Sequence, residues 1–132
     1  MYSEIYSLIR DILNDPELNE YILKLTGKNL AVIDAGAQVT SPSAKISFNG
    51  GEITRASNTK QAVSFIVSFI LPFWNAEAFS DCLNFIEFVI PICFNYSTDS
   101  GGFVASINPS ISENSDNNFW VVNLNCTAFA FV

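Results

Sequence analysis

The stretch AVSFIVSFIL, residues 62–71, decides the fold. Alternation with a period of two puts Val63, Phe65, Val67, Phe69 and Leu71 on one face. Ala62, Ser64, Ile66, Ser68 and Ile70 share the other, smaller face. Neither face is fully polar. The pattern predicts a central strand covered on both sides, by a helix on one and a neighbouring subunit on the other. Pro72 ends the strand, and the period changes in NAEAFSDCLNFIEFVIPICF, residues 75–94. Asn75 is suited to cap a helix there, and Glu77 and Asp81 suit its dipole. Phe79, Leu83, Ile86 and Ile90 run down one helical face. Phe85, Phe88, Val89 and Ile92 spread the apolar surface far beyond that stripe. Such a helix is expected to be buried on most sides, with part of the cover from another chain. Pro91 is expected to kink or end it.

Outward from this centre, the N-terminal side reads as two helices. Ile5, Leu8, Ile9, Ile12 and Leu13 recur at i, i+3, i+4, i+7 and i+8. Asp15-Pro16 resets the chain, with Asp15 a cap and Pro16 in the first helical position. Leu18, Tyr21, Ile22 and Leu25 then share a face, and Gly27 is a natural stop. Residues 29–34 read as a strand and 35–43 as a loop. AKISFNGGEITR, residues 44–55, reads as a hairpin: Ile46 and Phe48 precede a turn at Asn49-Gly50-Gly51, and Ile53 follows. On the C-terminal side, 96–102 is a loop and 103–111 a strand, with Pro109 marking an edge or an end. Residues 112–118 form a polar connector. FWVVNLNCTAFAFV, residues 119–132, closes the chain as a long strand. One of its faces carries Trp120, Val122, Leu124, Cys126, Ala128 and Ala130. The expected architecture is a single α+β domain spanning 1–132. It has one mostly antiparallel sheet of about five to six strands, N-terminal helices, and one long helix packed mainly on one face.

Composition excludes more than it assigns. The chain has 132 residues, 49% of them apolar, enough for one folded core. Charged residues are only 14%, and twelve residues are Phe, which points to association. The net charge is −7, and no basic residue follows Lys60. That distribution argues against nucleic acid as a partner, because phosphate contacts demand a basic patch. There is no His. A Ser or Cys nucleophile therefore lacks its usual base, and Cys82, Cys93 and Cys126 lack the partners and spacing of a zinc site. The three cysteines read as buried apolar thiols in a reducing compartment. The acidic group Asp11, Asp15, Glu17 and Glu20 lacks the alternating ligands and glycine turn of a calcium loop. No catalytic residue, cofactor or metal is expected. The N-terminus lacks the pattern of a signal peptide. The apolar run 62–74 is interrupted by Pro72 and falls short of the roughly 20 residues of a spanning helix, so no membrane association is expected. The aromatic residues Phe73, Trp74, Phe85, Phe88, Phe129 and Phe131 are the candidates for an oligomer interface.

In length and element order the chain resembles small phage tail proteins of the tail terminator and minor tail protein U type. The resemblance is carried by the opening amphipathic helix, the strand QAVSFIVSFILPFW running into the helix NAEAFSDCLNFIEFV, and the closing strand ending FAFV. It spans nearly the whole chain and includes no invariant motif. It implies a structural, non-enzymatic virion protein, assembled in the bacterial host cytoplasm and resident in the virion tail. Its partners would be further copies of itself in a ring, usually a hexamer, together with the tail tube protein and the head–tail connector. Such a ring caps the tube, stops its polymerisation and joins it to the head. Loops 35–43, 96–102 and 112–118 are the candidate tube or connector contacts. Three other readings compete with it: a binding module with an apolar pocket among the Phe residues, a neck or head–tail joining protein, and an α+β dimeric enzyme, which the absent His and the carboxylate layout disfavour.

Overall fold

Helix α1 (Tyr2–Leu13) buries Ile5, Leu8, Ile9, Ile12 and Leu13, the five residues of its apolar stripe. Helix α2 (Pro16–Thr26) starts where Asp15 caps it: the Leu18 N–H donates to Asp15 Oδ2 at 3.0 Å, and Pro16 opens the first turn. It stops at Gly27, whose φ of 75° is left-handed and whose N–H reaches the Leu23 carbonyl at 2.8 Å. The corner between the helices is pinned by Asn19, whose Nδ2 donates to the carbonyls of Leu13 and Asp15, both at 2.9 Å. The bond to Leu13 serves a carbonyl in the last turn of α1, and the Asp15 carbonyl also accepts the Asn19 backbone N–H at 3.1 Å. The computed structural model describes residues 2–36, 42–48, 60–72, 78–114 and 119–131.

Five strands follow: β1 (Ala31–Asp34), β2 (Ser43–Phe48), β3 (Lys60–Leu71), β4 (Phe103–Asn114) and β5 (Phe119–Phe131), with helix α3 (Ala78–Asn95) between β3 and β4. They form one sheet in the order β1-β2-β3-β5-β4. The β1–β2 pair is parallel, and the other three pairs are antiparallel. The fold is α+β, as expected, and β3 is the central strand. Its large face is closed: Val63, Phe65, Val67, Phe69 and Leu71 are all at most 4% exposed. On β5 the predicted inner residues Val122, Leu124, Cys126, Ala128 and Ala130 are buried too, with Trp120 partly covered at the end of the row. These side chains share a single core with the buried faces of the three helices.

Several element limits differ from the sequence reading. β4 runs through Pro109 to Asn114, because an edge strand can present the side without an N–H to solvent. Residues 112–114, polar enough to read as connector, are the last three of the strand. The turn at Asn49-Gly50-Gly51 and the arm with Ile53 lie outside the described residues, as do Asn75 and Glu77. α3 does not end at Pro91 but continues to Asn95. Pro91 is on the exposed side, where water can serve the Glu87 carbonyl that the proline ring leaves without a donor.

The sequence leaves the facing of α3 open, and the structure decides it. Along the stripe Phe79 is 54% and Leu83 44% exposed, while Ile86 and Ile90 are partly buried against the core. Ala78, Cys82, Phe85, Val89, Ile92 and Cys93 form the buried face instead. Small residues at 78, 82 and 93 let the helix lie close to the sheet, and Phe85 fills the space above Phe69 with ring centroids 4.8 Å apart. By length and composition alone α3 is apolar enough to cross a membrane. One face of it packs on the sheet, and a third of its residues are buried.

Candidate subunit and partner interfaces

The large inner residues leave no chamber where α1, α3 and the sheet meet. The void bounded by Ile9, Ile12, Leu13, Phe65, Phe69, Cys93, Leu124 and Cys126 holds about 10 Å³. That is no more than one water-sized space, far below a small-molecule pocket. The thiols beside it are chemically quiet. Burial pushes Cys93 and Cys126 up to about 12, and burial with the nearby Asp81 carboxylate pushes Cys82 up to about 11. We expect none of the three to react with a disulfide reagent at pH 8 in the folded protein and all three to react after unfolding. A fast-reacting native thiol would contradict this packing. Among the described residues, no three His, Cys, Asp or Glu side chains meet as a metal site requires.

Two long-range polar ties fasten the helices to the α3–β4 turn. Tyr96 donates to Asp15 Oδ1 at 2.6 Å, so one carboxylate caps α2 with one oxygen and receives α3's neighbouring phenol with the other. That bond, followed by desolvation and the field of Asp15, Asp11 and Glu17, pushes the Tyr96 phenol up to about 12. A raised pKa means that the tie is complete below pH 10 and is lost as pH rises through about 12. Tyr96→Phe should cost about 1 kcal/mol at pH 7, as for a part-buried hydrogen bond. The denaturant midpoint should fall with an unchanged slope, and an unchanged midpoint would show the bond to be idle. The second tie joins Glu4 Oε1 to the hydroxyls of Ser100 and Thr98, which hold the Glu4 carboxyl below its ordinary value. Gly102 fits beneath it: a Cβ there would lie 2.9 Å from Thr98 Oγ1.

The outer face of the sheet carries mostly short polar side chains. Its rows run Lys45–Ser68–Asn123–Ser110, Ser47–Ile66–Asn125–Asn108 and Ser64–Thr127–Ser106. Only Lys45 among these is charged. Ser68 donates to Asn123 Oδ1 at 2.6 Å, and Asn125 donates to the Asn108 carbonyl at 3.3 Å. The row ends in aromatics, Phe103 against Phe129 with centroids 5.8 Å apart. Ile70, by contrast, is 5% exposed.

The six aromatic candidates therefore fall in different places. Phe73 and Trp74 lie outside the described residues. Phe85 is fully buried among Phe69 and Tyr21 and has no surface to offer another chain. Phe88 is half-buried on the flank of α3 that faces α2, stacked on Tyr21 with centroids 4.4 Å apart. Phe129 is half-buried on the outer sheet face, and Phe131 is a backbone partner of Lys60 at the sheet's end. Among the described residues, and apart from Tyr2, Leu23, Phe48 and Phe103 elsewhere, open apolar side chains gather on the opposite flank of α3. There Phe79, Leu83 and Phe94 are about half exposed, with Ile86 and Ile90 partly covered between them. This is the stripe that the helical period marks out on one face of α3. Phe94, which completes it, was not singled out.

Comparison with known proteins turns on the fold. No family model matches the sequence, and no curated protein matches it. Solved structures do match the fold. One chain comes from a structure titled "Virion of native gene transfer agent (GTA) particle": 15% identity, TM-score 0.54, covering 98% of this chain and 93% of that one. A second solved chain is 13% identical with a TM-score of 0.52, and the match covers 94% of each. At these identities the likeness is one of fold, shared over nearly the full length of each chain.

Proposed function

We propose that this chain is a structural protein of a phage-like virion, acting as a tail terminator. The observation that carries the reading is the end-to-end fold likeness to a chain of a gene transfer agent particle. The open apolar flank of α3 supports it, since contiguous exposed apolar surface marks an association site. In this reading the stripe from Phe79 to Phe94 meets a different surface of the next subunit. Such heterologous contacts close into a ring of about six copies when the rotation per subunit allows it. The ring sits on the end of the tail tube, satisfies its exposed strand edges and presents none that a further tube ring could use. The role is mechanical, without catalysis, and its place is the virion tail beside the tube protein and the head connector.

The test is tube growth. Adding the protein to polymerising tube subunits of the same particle should stop elongation and leave a ring density at one end of each tube. Tubes that keep growing, with the protein bound to the connector instead, would make it a neck protein. Binding to neither would remove it from the tail.

A further inference from the structure

The stacked pair Tyr21 and Phe88 floors a surface groove of about 240 Å³ between α2 and α3, with Glu17, Glu20 and Lys24 on its rim. Lys24 is held by Glu20 at 3.0 Å, an i,i+4 pair along α2. Glu17 is one helical turn before Tyr21, so its carboxylate rims the same groove. Asp81, on the neighbouring flank of α3, adds negative potential that Tyr21 feels. The groove thus combines an aromatic floor with an anionic wall.

We propose that this groove receives an arginine side chain of a partner protein. A guanidinium is planar and weakly hydrated, stacks on an aromatic face and pairs edge-on with a carboxylate. Stacking covers one face of each ring, so the guanidinium would lie against the outer face that the Tyr21–Phe88 pair leaves to the groove. Glu17 supplies the carboxylate. A compact ammonium would use the charge but not the flat floor. A second copy of this chain is the weaker occupant, since each copy carries a net charge of −7 and would bring repulsion to an acidic surface. The groove and the open stripe lie on opposite flanks of α3, so the assignment stands whether or not the chain forms rings.

The experiment titrates the isotopically labelled protein with acetyl-Gly-Gly-Arg-Gly-Gly-amide while amide shifts are followed by NMR. Saturable shifts should centre on Glu17, Tyr21 and Phe88. The citrulline analogue, flat but uncharged, should bind at least about fivefold more weakly, and the lysine analogue about threefold more weakly. Glu17→Gln should weaken the arginine peptide about threefold and leave the rest of the spectrum unchanged. Phe88→Leu keeps bulk while removing the ring, and should weaken it by a similar factor. Equal binding of arginine and citrulline, or shifts spread evenly over Asp34, Asp99 and Glu113, would overturn the assignment. Shifts at the groove that grow with protein concentration alone would assign it to a second copy and also overturn it.

Discussion

Phe85→Ala should lower the thermal midpoint by roughly 10–20 °C, the largest effect we expect from a single substitution. Phe85 is 0% exposed and joins two layers, edge-to-face on Phe69 of β3 and tilted against Tyr21 of α2. Removing a buried phenyl ring costs about 3–5 kcal/mol, because transfer free energy and the residual cavity add. In a domain of this size each kcal/mol moves the midpoint by about 3–5 °C. The result also separates two roles for the residue. A core group destabilises the monomer at every concentration, whereas an interface group would leave a dilute subunit near its normal stability. A shift below about 3 °C in dilute protein would therefore contradict the buried facing of α3.

The second large effect concerns assembly. Leu83→Asp changes a side chain that is 44% exposed in the subunit, so the monomer should lose at most about 0.5 kcal/mol. In a ring that buries the stripe, the same carboxylate is desolvated among Phe79, Ile86 and Ile90 without a cationic partner. That costs several kcal/mol, so the concentration needed for half-assembly should rise by at least about 100-fold. Ser110→Asp is the control. It introduces the same charge on the exposed outer face of the sheet and should leave assembly within about threefold of the parent. If Ser110→Asp abolishes assembly and Leu83→Asp does not, the contact lies on the sheet face and not on α3.

The strands and the first two helices were legible because their patterns have contrast. β3 and β5 alternate with a period of two. In β3 the large side chains mark the inner face, whereas the end of β5 buries Ala128 and Ala130 and turns Phe129 outward. α1 has one apolar stripe among polar residues, and Asp15-Pro16 and Gly27 mark the ends of its neighbour by backbone chemistry. α3 lacks that contrast. With apolar residues around most of its circumference, Phe79, Leu83, Ile86 and Ile90 make as regular a stripe as Ala78, Cys82, Phe85 and Val89. What distinguishes the true inner face is size: Ala and Cys permit close approach to the sheet. The thiols were read as buried, and that reading already contained the orientation of the helix. The parallel β1–β2 pair depends on partners that local sequence does not encode. The same holds for the ties between Tyr96 and Asp15 and between Glu4 and the 98–102 turn, which join residues about 80 or more positions apart. The groove at Tyr21 and Phe88 was half legible: Phe88 stood out as an aromatic without a place in the stripe, but its stacking partner comes from another helix.

The most direct test of the account is the solution mass of the protein by light scattering over a wide concentration range, with negative-stain images of the same fractions. We predict a species of about six subunits with a central hole, which Leu83→Asp converts to monomer. A parent protein that stays monomeric or dimeric at every concentration, with or without tube ends present, would contradict ring closure through α3.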